Sequence, residues 1–191
     1  MVDTVAYTIQ QFIEVQAEER VIPNLGRSLN DVLRQYGQNG LTAVYPYDRY
    51  NIGTFDLPCI VLGDVTERSS FFATDGVNMT MKRRYAFDVT GYAASVALDD
   101  DVDSGRMVRR FMEAFRALWE STLFKEIPTV KPPDLDENLW TPGSIYFQEE
   151  GENAPPVREI KASVDNAGEG ALMRIFTAEL VCFAIETIVA G

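Results

Sequence analysis

The run ALMRIFTAELVCFAIETIVA, residues 171–190, decides the fold. Phe176, Ala178, Leu180, Cys182 and Ala184 alternate along it, and Ile175, Val181, Phe183 and Ile185 fill the other side. A long, twisted central strand buried on both faces over part of its length accounts for this pattern. A helix is the rival reading, because an apolar run is ambiguous by periodicity alone. The richness in Ile, Val, Phe and Thr favours the strand.

Working back from that strand, NAGEG (166–170) is a turn and VREIKASVD (157–165) a further strand. GENAPP (151–156) turns the chain, and SIYFQEE (144–150) is a short strand. The Pro-rich IPTVKPPDLDENLWTPGS (127–144) reads as loop, so residues 125–157 form a loop-rich insertion in a single domain spanning 1–191. Before it lies the strongest helix, from Ser104 to about Phe124. Val108, Phe111, Met112, Phe115, Leu118, Trp119 and Leu123 form its apolar stripe. Arg109, Arg110, Glu113, Arg116 and Glu120 form its polar side, a solvated face or a subunit contact.

Further back, RSSFFAT (68–74) and VNMTMKRRYAFDVTGYAAS (77–95) flank Asp75-Gly76, a tight-turn signal that marks a hairpin. Tyr85, Phe87 and Val89 alternate with polar neighbours and should face the helices. Gly91 marks either a bulge or the close approach of another backbone. LPCIVLGDV (57–65) is a separate short strand, with Pro58 at its start because proline cannot donate to a ladder. NGLTAVYPYDRYNIGTFD (39–56) is an aromatic-rich loop. Tyr45, Tyr47 and Tyr50 either pack on the core edge or form a contact surface, aromatics being enriched at interfaces.

Two helices open the chain. The first places Val5, Ile9, Phe12 and Ile13 on one face and runs to about Glu19. The second has Ser28 as N-cap, Asp31 three residues on, Leu29, Val32, Leu33 and Tyr36 as its stripe, and Gly37 just past its end. The expected fold is therefore α+β: an antiparallel, strongly twisted sheet with two to three helices packed on one face.

The net charge of -12 disfavours binding nucleic acid or an anionic membrane, both of which need clustered Lys and Arg. No apolar run approaches the roughly 20 residues of a membrane span, and the first residues lack the pattern of a signal peptide. Cys59 and Cys182 lie in apolar runs and read as buried free thiols, which fits a reducing compartment. The chain has no histidine, which removes the commonest general base and zinc ligand. Glycine-rich phosphate loops and paired cysteines at zinc spacing are absent as well. The expectation is no enzyme, no cofactor and no metal.

DDDVDSG (99–105) tests that expectation, since clustered aspartates can hold calcium. An EF-hand loop starting at Asp99 would place Ser104 where glycine is required and Arg110 where the bidentate glutamate belongs. The run instead suits the start of a helix, where Asp and Ser cap and negative charge meets the macrodipole. Lys82, Arg83 and Arg84 form the one basic patch, a solvated strand segment or a contact for phosphate or an acidic partner.

The order of parts carries a resemblance. An N-terminal helix leads to LPCIVLG. Then come the alternating strand RRYAFDVTGYAAS, an acidic turn, a helix ending in FRALWES, and the closing strands VREIKASVD and ALMRIFTAELVCFAI. This pattern resembles the tail terminator (tail completion) proteins of long-tailed bacteriophages, over most of the chain, with the 125–157 segment as a departure. The resemblance implies a structural virion protein, assembled in the host cytoplasm and located in the tail or neck. Its subunits would close a ring, hexameric in that family, that caps the tail tube, stops its growth and docks the head-to-tail connector protein. DNA would pass through without specific binding, and no membrane is involved. The contact candidates are then Tyr45, Tyr47, Tyr50, Lys82, Arg83, Arg84 and Trp140, with Asp99, Asp100 and Asp101 as acids of the lumen or rim. The hairpin of residues 66–84 and the 125–157 segment are expected to project and make those contacts. Another neck, tube or baseplate subunit, or a small soluble binding domain, are the alternatives, because small α+β parts of this kind serve many roles.

Overall fold

In the computed structural model, which describes residues 2–47, 52–74, 78–94, 101–121, 126–134, 143–147, 155–167 and 171–189, the helices are α1 (Val2–Glu19), α2 (Leu29–Gln35) and α3 (Asp101–Glu120). The strands are β1 (Ala43–Tyr45), β2 (Cys59–Thr74), β3 (Asn78–Ala94), β4 (Glu126–Pro128), β5 (Ser144–Tyr146), β6 (Val157–Ala167) and β7 (Ala171–Val189). The run that opened the question is a strand. β7 is the longest in the molecule, and β3 pairs with it antiparallel from Asn78 opposite Val189 to Ala94 opposite Met173. On its other edge β6 pairs along the first part of β7 and β5 along Phe183 and Ala184. The sheet order is β1-β2-β3-β7-β5-β4, with β6 also on β7.

The fold is α+β as expected, but the sheet is mixed rather than purely antiparallel. β1 runs parallel to β2, with Ala43 opposite Cys59 and Tyr45 opposite Val61. Parallel neighbours need a crossover of about a dozen residues. The aromatic-rich segment read as loop is that crossover, and β1 at its head is a strand the pattern did not show, because three residues are too few to display a period. LPCIVLGDV and RSSFFAT, expected as two strands, are one continuous β2. The residues between them, Thr66 and Glu67, pair in register with Ala86 and Tyr85, and the irregularity of the ladder falls earlier. Leu62 faces Val89 but Val65 faces Phe87, so β2 carries one extra residue at Gly63-Asp64, a bulge.

All three helices pack on one face of the sheet. There β3 presents Tyr85, Phe87, Val89 and Ala93, and β7 presents Phe176, Leu180 and Cys182, all essentially buried. α1 contributes Val5, Ile9 and Ile13, while α3 contributes Phe111, Phe115, Leu118 and Trp119. Burying each such side chain is worth about 1.5–3 kcal/mol. The rings also meet in specific geometry: Phe111 stands edge-on to Phe176 with centroids 4.9 Å apart, and Trp119 lies 4.5 Å from Phe147. Such pairs add about 0.5–1.5 kcal/mol each.

Gly91 lies in this layer, and its reason is a side chain. A Cβ placed there would sit 2.0 Å from Cε1 of Phe176. The ladder through Gly91 is regular, so there is no bulge, and the close approach is by a ring rather than by another backbone.

α2 forms as its sequence predicts. The Asp31 N–H donates to Ser28 Oγ (3.1 Å), the Ser28 N–H donates to Asp31 Oδ2 (3.3 Å), and Gly37 takes φ +76°. α3 begins earlier than expected. Ser104, expected as its first residue behind capping aspartates, is a fully buried residue inside it, because it lies on the same helix face as Val108 and Phe111.

Within 125–157 the described parts are tied to the sheet. β4 pairs with β5, the Thr129 N–H donates to the Gly143 carbonyl (2.9 Å), and Ile145 and Phe147 enter the core. Cys59 and Cys182 are both free and buried, as expected. They occupy opposite faces of the sheet, Cys59 with Leu57 and Met173 and Cys182 in the helix-side core.

Candidate functional site

The sheet is longer than the layer that covers it. The 17 residues of β3 span about 55 Å, whereas the 20 residues of α3 span about 30 Å. Helix-side burial on β3 begins at Tyr85, and no residue from Asn78 to Arg84 is buried among those whose exposure is described. On β2, residues 66–70 are all exposed. The far halves of β2 and β3 with the end of β7 thus form a three-stranded arm beyond the helices. Met79 and Ile185 are exposed apolar residues on it. Among the described residues, β2 pairs with β1 only at Cys59–Val61, so the rest of its outer edge carries no strand.

The basic triplet lies on this arm, but strand alternation divides it. Arg83 points to the helix side, where it bonds Glu67 at 2.5 Å and Ser69 Oγ at 3.1 Å. Lys82 and Arg84 point to the opposite face. There the Lys82 Nζ lies 4.8 Å from the centroid of the Phe183 ring, and Arg84 stands 3.9 Å from a Glu179 carboxylate oxygen. The three charges adjacent in sequence are therefore not one patch, and each has a partner within the fold.

Tyr45 and Tyr47 are elsewhere. β1 lies opposite Cys59–Val61, while Lys82–Arg84 lie opposite Arg68–Ser70, more than about 20 Å along the same strand. Tyr45 is half-buried and donates its hydroxyl proton to Asp56 Oδ1 (3.0 Å), and Tyr47 is 67% exposed. In the same crossover Phe55 is 94% exposed, an aromatic the sequence reading left out. Its signal was available: a phenylalanine in a Gly- and Asp-bounded turn has little core to join. The expected contact set thus separates into an arm group and a crossover group. Tyr50, Trp140, Asp99 and Asp100 lie outside the described residues. Asp101 is the first residue of α3.

The titratable groups that depart from ordinary behaviour are structural. Glu18 is held below the usual carboxylate range first by its bonds from Arg34, at 2.8 Å, and from Asn30, at 2.7 Å. Those contacts fasten α1 to α2. Burial pushes the Cys182 thiol well above its usual range, opposed weakly by the Arg84 charge, so it is a poor nucleophile. Among the described residues there is no cluster of three or more Cys, Asp or Glu side chains that could hold a metal, and no helix long and apolar enough to cross a membrane. The chain matches no model of a known protein family and no curated protein sequence.

Proposed function

We propose that this chain is a tail terminator of a long-tailed bacteriophage, a structural subunit that closes a ring on the end of the tail tube and docks the head-side connector. The order of elements along the chain supplies the resemblance. The observation that carries the reading further is the arm, a three-stranded extension whose outer edge on β2 carries no strand among the described residues and on which Met79 and Ile185 are exposed. A surface of that kind suits heterologous contacts, in which one patch meets a different patch on the next copy and the rotation closes a ring. One face of the ring is then complementary to the last ring of the tube and the other is not, so no further tube subunit adds. The acidic balance of the chain suits a passage through which DNA moves without sticking.

The test is negative-stain imaging of the purified protein, alone and mixed with tail tubes assembled from their own subunit. The expected result is a six-fold ring, free or seated on tube ends, and tubes that stop growing. Protein that remains monomeric in both conditions, with tube length unchanged, overturns the proposal. Incorporation along the tube instead of at its end would identify a tube subunit.

A further inference from the structure

The sheet edge far from the arm carries a cleft of about 630 Å³. One wall is the outward side of α1, where Asp3, Tyr7, Gln10 and Glu14 recur at three- and four-residue spacing. The opposite wall is Pro132, Pro133 and Asp134. That second wall is held in place from α1 itself. The Thr8 hydroxyl donates to the Thr4 carbonyl (2.7 Å) and accepts the Val130 N–H (2.9 Å).

The floor is a strand edge. Ala43, Val44 and Tyr45 all line the cleft, although neighbours in a strand project to opposite faces. Three successive residues can line one cleft only where it runs along the edge of the strand, beside the backbone. β1 is the last strand of the sheet on this side and pairs only with β2 among the described residues. The Thr42 N–H donates to the Pro58 carbonyl (2.7 Å), so Thr42 and Val44 turn their backbone groups toward β2. By alternation Ala43 turns its N–H and C=O toward the cleft.

The rim has one sign of charge. Asp3, Glu14 and Asp134 are exposed, and among the described residues no Lys or Arg lines the cleft. The Glu14 carboxylate accepts from the side-chain amides of Gln10 (3.1 Å) and Gln11 (3.3 Å), neutral donors that hold its position and leave its charge uncompensated. The tyrosine and proline surfaces between these acids are flat and amphipathic, suited to an extended chain.

We propose that this cleft binds an extended, basic peptide segment of a partner protein, which adds as a strand to the edge of β1 and places Lys or Arg side chains against Asp3, Glu14 and Asp134. The two main-chain hydrogen bonds available at Ala43 align the segment as a strand, the apolar walls and the acidic rim add the rest of the affinity, and the rim selects the sequence. A nucleic acid meets the wrong sign of charge here. The site stands apart from the arm and does not depend on the ring.

Fluorescence anisotropy with labelled peptides tests it. The probes are a nine-residue peptide alternating Val and Lys, its Val–Glu counterpart, and a Val–Lys peptide N-methylated at alternate residues so that it cannot donate to a strand edge. The Val–Lys peptide should bind at roughly micromolar Kd. The Val–Glu and N-methylated peptides should bind at least about tenfold more weakly, as should the Val–Lys peptide to the exposed double variant Glu14→Lys/Asp134→Lys. Equal binding of the Lys and Glu peptides, equal binding of the N-methylated peptide, or no binding up to millimolar concentration each overturns the proposal.

Discussion

β3 and β7 pass through two environments while keeping one ladder. From Tyr85 to Ala94, opposite Cys182 to Met173, they are covered by helices, and side chains such as Tyr85 and Phe176 are fully buried. From Asn78 to Arg84, opposite Val189 to Phe183, the same two strands continue with the same pairing; on β3 no residue whose exposure is described there is buried, while on β7 burial extends to Phe183 and Ala184 and ends at the exposed Ile185. Their hydrogen bonding is alike, so the difference lies in what is packed on the sheet. The covered half makes the domain stable. Exposed side chains of the other half, such as Met79 and Ile185, bury little apolar surface and so add little to that stability.

The largest expected effect comes from breaking the covered half. Trp119→Ala removes the ring that meets Phe12, Phe115 and Phe147, and should cost about 3–5 kcal/mol in urea unfolding. Gly91→Ala adds a single methyl where the Phe176 ring already stands, and should cost about 1–3 kcal/mol by forcing that ring off its rotamer. A Gly91→Ala protein as stable as the parent would mean that the ring can move at no cost and that the layer is looser than its geometry states.

Hydrogen exchange compares the two halves directly. Amides of Phe87 and Leu180 should exchange only through global unfolding, while those of Lys82 and Arg84 should exchange through local opening of the arm. Equal protection in both halves would remove the distinction. On the arm, Met79→Ser and Ile185→Ser should change stability by no more than about 0.5 kcal/mol, because both side chains are exposed. The same variants should weaken ring formation or tube capping. Loss of stability without loss of assembly would reverse the roles assigned to the two halves.

The smallest effect concerns the pair that fastens the helices together. The folded state holds Glu18 below its ordinary value of 4.5, so the pair's contribution is present above that pH and lost as pH falls through the lower folded value. Glu18→Gln should therefore flatten the acid side of the stability–pH profile slightly and leave the neutral side little changed, since the pair is exposed. Thermal unfolding across pH 2–6 reads the difference.

Several features were legible because their causes lie within a few neighbouring residues. The Ser28–Asp31 box and Gly37 fixed both ends of α2 from local hydrogen bonding and backbone freedom alone. The apolar stripe from Val108 to Trp119 marked a helix and its buried face. The start of α3 was placed at Ser104 because the aspartates before it have the local chemistry of a cap, and only the core beneath Ser104 shows that it already continues the buried stripe.

By itself the sequence determined the helices and the long strands and which face of each is apolar, including β7, whose two apolar sides required burial on both faces, but not the three-residue strands β1 and β4, which fell in segments read as loop. It also determined the absence of histidine and of phosphate-loop and zinc-spacing motifs. Only the tertiary structure decided that β1 joins parallel to β2, that two apparent strands are one continuous β2, and that Lys82, Arg83 and Arg84 face apart. It alone assembled the cleft from α1, β1 and Pro132–Pro133. The physical reason is range. Periodicity and capping act between residues a turn or two apart. Strand partner, direction and exposed edge are settled by contacts between segments scores of residues apart, and those depend on how the whole core closes.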